Sequence, residues 1–245
     1  MSRPAHPLRL NGFGHEKAYL GLLSGGKMLD PGELRRRITS FPSDYMRDFD
    51  MFWRRKLEIE AGEGHILDDN HRGETYVMLR GILRRWQAFR PFDTVRCLSM
   101  LKRALLNISS AYDEIREYEL LRFSDIPLEP LELIWDELGV VKHGGVRHPR
   151  KRYYVISICK PLMLLWGQTL AFDERVRRNL PPEYRAPRGR TWDFWTWRRV
   201  MVRIQEDLKS SPGFLRTIRE EAERAYGRGH IIPYGRFLDI YYWVP

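Results

Sequence analysis

Apolar residues in this chain recur at spacings of three and four, with almost no strict alternation. That period belongs to helices that bury one face. An irregular arm over residues 1–14 leads to a short helix over 15–23 and a loop at Ser24-Gly25-Gly26-Lys27. Asp30-Pro31 reads as an N-cap followed by proline at the first helical position, and Pro42-Ser43 opens the next helix. Tyr45, Phe49, Phe52, Trp53 and Ile59 repeat at helical spacing until Gly62-Glu63-Gly64 ends the run. From Asn70 a third helix carries Val77, Leu79, Ile82, Leu83 and Trp86 on its expected inner face. Arg80, Arg84 and Arg85 lie beside that face, where a solvated surface and a phosphate contact fit equally well.

A long helical pattern over 92–122 is marked by Val95, Leu98, Leu101, Leu105, Ile108, Tyr112, Ile115 and Tyr118, with a break at Asn107-Ile108-Ser109-Ser110. Pro127 and Pro130 frame a shorter helix ending at Leu138-Gly139. A basic loop, Lys142 to Arg152, then feeds the most apolar stretch of the chain. That stretch predicts one helix around Ser157-Ile158-Cys159-Lys160, a break at Gly167-Gln168-Thr169, and a second helix opening at Asp173. Pro181-Pro182 ends the second helix. Thr191 is the expected N-cap of a helix running to Lys209, a further helix covers Pro212 to Tyr226, and the closing segment Tyr234 to Trp243 reads as helix in preference to strand. The expected fold is all-α. It is either a single multi-helix globule or two packed helical subdomains, 1–140 and 141–245, with a site in the cleft between them.

Composition narrows the partners. The chain has 245 residues, 43% hydrophobic and 13% aromatic, which excludes a disordered polymer. Lys and Arg outnumber Asp and Glu by 42 to 32, for a net charge of +10. Most of that charge is arginine, whose planar fork suits phosphate and base edges. A nucleic-acid or other polyanionic partner is therefore expected. The two cysteines, Cys97 and Cys159, sit in apolar helical patterns and read as buried thiols. No apolar run reaches a membrane span, no signal core opens the chain, and no spacing suggests a metal or a phosphate-cradling glycine loop, so the expectation is a cytoplasmic, cofactor-free monomer.

The chemistry-bearing candidates cluster around the apolar stretch. Lys160 and Asp173 are ionisable groups set deep in apolar sequence, and Asp239 lies among aromatics in Phe237-Leu238-Asp239-Ile240-Tyr241. Their plain structural readings are a snorkelling lysine, a helix cap, and an ion pair with Arg236. The segment Ala171-Phe172-Asp173-Glu174-Arg175-Val176-Arg177-Arg178 resembles the part of the helix-hairpin-helix DNA glycosylases in which a catalytic aspartate caps a helix in a V-D-x-x-V-x-R context. Tyr153-Tyr154-Val155-Ile156 stands where that family has an L-P-G-V-G turn.

The resemblance implies base excision from DNA through a flipped nucleotide. It makes Asp173 the group facing the oxocarbenium-like sugar and puts Lys160 where the family's lysine lies; phage-defence glycosylases acting on modified cytosine are one branch of such enzymes. Asp239 is a second candidate acid. His143, Arg147, His148, Arg150, Lys151, Arg152, Arg175, Arg177, Arg178, Arg188 and Arg190 are candidate DNA contacts, and Phe172, Trp192 and Trp195 candidates for stacking on the base. The alternative function is non-catalytic nucleic-acid binding by a basic helical protein.

Overall fold

The computed structural model describes residues 29–243 apart from 63, 91–93 and 147–149. The helix expected over 15–23 and the loop at 24–27 lie outside these residues. The described chain is predominantly α-helical, as its periodicity implies. Asp30 caps α1 (Pro31–Ser40), its carboxylate accepting from the backbone N–H groups of Gly32 and Glu33. α2 (Ser43–Glu60) buries Phe49, Phe52, Trp53 and Ile59.

α3 (Arg72–Arg85) buries Thr75, Leu79, Ile82 and Leu83, but Val77 is exposed. Two positions from Leu79, Val77 lies on roughly the opposite side of the helix and cannot share its face. The long pattern over 92–122 is two helices, α4 (Thr94–Asn107) and α5 (Ser109–Ile115), with the expected break at Ile108. Val95 on the first turn of α4 is exposed, whereas Leu98, Leu101, Leu105, Ile108, Tyr112 and Ile115 are buried.

α6 (Leu128–Gly139) and the centrally placed α7 (Val155–Trp166) follow. α7 packs against α2, α3 and α6 and is buried over nearly its whole length. It stops at Gly167, whose φ of 75° forms a left-handed cap with its N–H on the Met163 carbonyl. A side chain there would meet the Trp53 ring. α8 (Glu174–Asn179) is short. α9 (Phe194–Lys209), α10 (Pro212–Tyr226) and α11 (Tyr234–Tyr242) complete the set, and α11 packs on α1 and α8.

One departure from the helical pattern is a two-residue antiparallel ladder. β1 (Tyr153–Tyr154) pairs with β2 (Thr191–Trp192), in the register Tyr153 to Trp192. Thr191 is consequently a strand residue and not a cap. Asp193 takes that role for α9, accepting from the Thr196 N–H at 2.7 Å. Among the described residues one hydrophobic core draws on both sides of residue 140, from Leu29 to Tyr242. No helix among the described residues is long and apolar enough to cross a membrane.

Candidate active site

The turn after α7 and the helix α11 are locked together. Gly235 approaches the 168–169 backbone so closely that a Cβ would lie 2.4 Å from the Thr169 carbonyl oxygen, and its N–H donates to the Gly167 carbonyl at 2.8 Å. One turn further along α11, Asp239 is 3% exposed. Its Oδ1 accepts from the Ala171 N–H at 2.8 Å, and its Oδ2 lies 3.6 Å from the Arg236 guanidinium. The same loop leads through Phe172 to Asp173, which caps α8 by accepting from the Val176 N–H at 3.0 Å. From α7, the Lys160 ammonium reaches across the core to the Trp86 carbonyl at 3.0 Å.

The three ionisable candidates thus meet. Lys160, Asp173, Asp239 and Arg236 border one cavity of about 40 Å³, walled by Phe41, Tyr45, Trp86, Met163, Ala171 and Trp243. Space of that size suits a water and not a nucleobase. Trp243, Tyr45 and Asp173 are half-buried and form the outward side of the wall, and the Arg175 guanidinium lies 4.3 Å over the Trp243 ring. Arg236 is sandwiched by rings, 4.7 Å from the centre of Phe41 and 5.0 Å from that of Phe49.

Burial dominates the electrostatics. It pushes the Asp239 carboxyl up to about 7, helped by the charge of Asp173 and opposed by Arg236, the Ala171 N–H and Lys160. Burial also lowers Lys160, against the pull of Asp173 and Asp239. A carboxyl that holds a proton near neutrality beside a second carboxylate, in an aromatic-walled cavity, is a pattern found where acid–base chemistry is done.

The other sequence candidates are scattered. Phe172 and Trp192 are fully buried and pack on each other, ring centres 5.1 Å apart, outside the cavity wall. Phe172 has a left-handed φ of 48°, which turns its ring into the core while Asp173 faces the cavity. Trp195 is 56% exposed on α9 and also stands outside the wall. Trp86 and Trp243 are the tryptophans of the cavity.

Arg177, Arg178, Arg188 and Arg190 line a surface groove of about 630 Å³, where Glu174 pairs with Arg178. Arg177 donates to the Arg188 and Gly189 carbonyls, so it shapes the groove as well as charging it. Arg150 and Arg152 are exposed, and Arg152 donates to the Thr191 carbonyl. Lys151 is engaged by Glu132 and Asp136. The His143 ring lies against Tyr153 and Tyr154. Arg147 and His148 lie outside the described residues. Among the described residues no group of three His, Cys, Asp or Glu side chains is placed to hold a metal ion, and Cys97 and Cys159 are free and buried.

Comparison with family models, with curated proteins and with solved structures gives no match.

Proposed function

We propose that this protein is a DNA glycosylase, excising a damaged or modified base with Asp173 at the reacting centre. The observation that carries the proposal is the convergence of Asp173, Asp239, Lys160 and Arg236 on one aromatic-walled cavity. Cleavage of the C1′–N bond builds positive charge on the sugar. The Asp173 carboxylate, fixed by its cap bond at the outer side of the cavity, is the group to face that charge and to orient a water. The water oxygen bonds to C1′, the C1′–N bond breaks with its electron pair on the base, and the water proton passes through the carboxylate to the departing base.

Asp239 and Arg236 hold the loop that presents Asp173, and the Lys160 amine borders the same cavity. A base flipped toward Asp173 enters by displacing the Trp243 or Tyr45 ring, and either ring then offers it a stacking surface. The arginine groove beside α8 holds phosphates. Modified cytosine is the substrate class to try first. The free, buried cysteines suit a reducing cytoplasm, and the reaction needs only one copy of the chain.

One observation favours a second function, DNA binding without catalysis: the cavity at about 40 Å³ does not hold a base without rearrangement. Incubation with DNA carrying a panel of damaged and modified bases, glucosylated hydroxymethylcytosine included, followed by alkali and heat, separates the two. Strand breaks with the wild type and none with Asp173→Asn support excision. Binding with no break on any substrate supports the second function.

A further inference from the structure

Away from the cavity, α3 and α4 border a second groove, of about 680 Å³, that shares no lining residue with the arginine groove beside α8. Arg80, Arg84, Arg85 and Arg90 line it, and among the described residues no acidic side chain does. Arg80 and Arg84 stand one helical turn apart, a like-charge spacing that destabilises an isolated helix. Elsewhere many arginines have a carboxylate within a turn, as in Arg47 with Asp44, Arg72 with Asp69, Arg116 with Asp113 and Arg224 with Glu221. Among the described residues Arg80, Arg84 and Arg90 have no such partner, and all three are exposed. An unrelieved row of guanidinium groups in a groove is a site awaiting an anion with several charges in line.

The groove is also wired to the cavity. The chain turns at Gln87 with a left-handed φ of 51°, so that Trp86 is buried while Gln87 and Arg90 face out. Asp48 joins the two sides, accepting two bonds from the Arg85 guanidinium and one, at 3.1 Å, from the Trp86 indole N–H. Trp86 in turn holds Lys160 through its carbonyl. We propose that the α3–α4 groove is a second phosphate-backbone track for DNA, engaged by Arg80, Arg84 and Arg90 and keyed to the cavity through Arg85, Asp48 and Trp86. It rests on the proposed function for its partner, DNA, and adds where and by which residues the strand is held.

The test is fluorescence anisotropy of a labelled DNA duplex titrated with the full chain between about 50 and 200 mM salt. Wild type is compared with Arg80→Gln/Arg84→Gln/Arg90→Gln and with the charge-keeping Arg80→Lys/Arg84→Lys/Arg90→Lys, each checked for an unchanged thermal melt. Losing three phosphate contacts makes the slope of log K against log salt shallower by about 2 to 3, and affinity falls on the order of 10-fold or more at ~0.1 M salt. The lysine set restores most of the slope. Unchanged affinity and slope in the glutamine set overturns the track, and so does a lysine set as weak as the glutamine set. The excision reading fails separately, when the wild type binds DNA but yields no abasic site.

Discussion

The Asp239 side chain accepts the Ala171 backbone N–H at 2.8 Å, tying α11 to the loop that carries Asp173. Asparagine keeps that acceptor and alanine does not. Asp239→Ala leaves a buried N–H unsatisfied, at a cost of about 1 to 3 kcal/mol, and loosens the loop. Asp239→Asn should melt near wild type at pH 6, and Asp239→Ala well below it, by urea denaturation. Excision should follow the same order if Asp239 works by positioning Asp173. Equal stability of the two variants would remove the hydrogen bond from the account.

Because burial raises the Asp239 carboxyl to about 7, the folded state holds a proton that the unfolded chain releases near its ordinary acidic value. The folded state therefore binds more protons between those limits, and the stability contributed by this group falls as pH rises through them. Asparagine mimics the protonated form at every pH. The stability of Asp239→Asn relative to wild type should accordingly improve from pH 5 to pH 8. A constant difference across that range would show that Asp239 is ionised throughout.

Gly235 must lack a side chain for a different reason from Gly167. Its backbone is helical, but the Thr169 amide nitrogen and carbonyl oxygen lie 2.5 and 2.4 Å from where a Cβ would stand. These are backbone atoms and cannot swing aside. Gly235→Ala should cost at least the ~1 to 3 kcal/mol of an overpacked core, and should push Asp239 away from Ala171. Excision should fall by more than the change in folded fraction explains. A variant that melts like wild type would show that the 167–169 turn yields.

Local chemistry was readable where it decides local structure. Asp30-Pro31 starts α1 because a carboxylate and a preset φ act within one turn, and Asn107, Ser109 and Ser110 around Ile108 mark the α4–α5 break. Thr191 and Asp193 are both cap-forming residues two positions apart. What selects Asp193 is the pairing of residues 191–192 with 153–154, a contact that no local pattern reveals. The convergence of Lys160, Asp173 and Asp239 could be suspected from their apolar settings, but not the wall around them. Phe41, Trp86 and Trp243 come from distant turns, while Phe172, adjacent to Asp173, is turned the other way by its backbone. Phe172 looked like a base contact for its place beside Asp173, and Trp192 for its spacing from Trp195, and tertiary packing gave both to the core.

Asp173 holds two positions at once, as a helix cap and as a carboxylate at a cavity, and substitutions separate them. Asparagine and serine are good caps, so Asp173→Asn and Asp173→Ser should lose only a few tenths of a kcal/mol, against about 1 kcal/mol for Asp173→Ala. All three lack the charge that would face an oxocarbenium-like sugar. If Asp173 is catalytic, all three lose excision by a similar factor, on the order of 100-fold or more, despite their different stabilities. DNA affinity survives in each, because the arginine grooves are untouched. If Asp173 only caps α8, activity instead tracks stability, and the asparagine and serine variants keep most of it. Single-turnover excision rates set beside urea midpoints for the three variants distinguish the two roles.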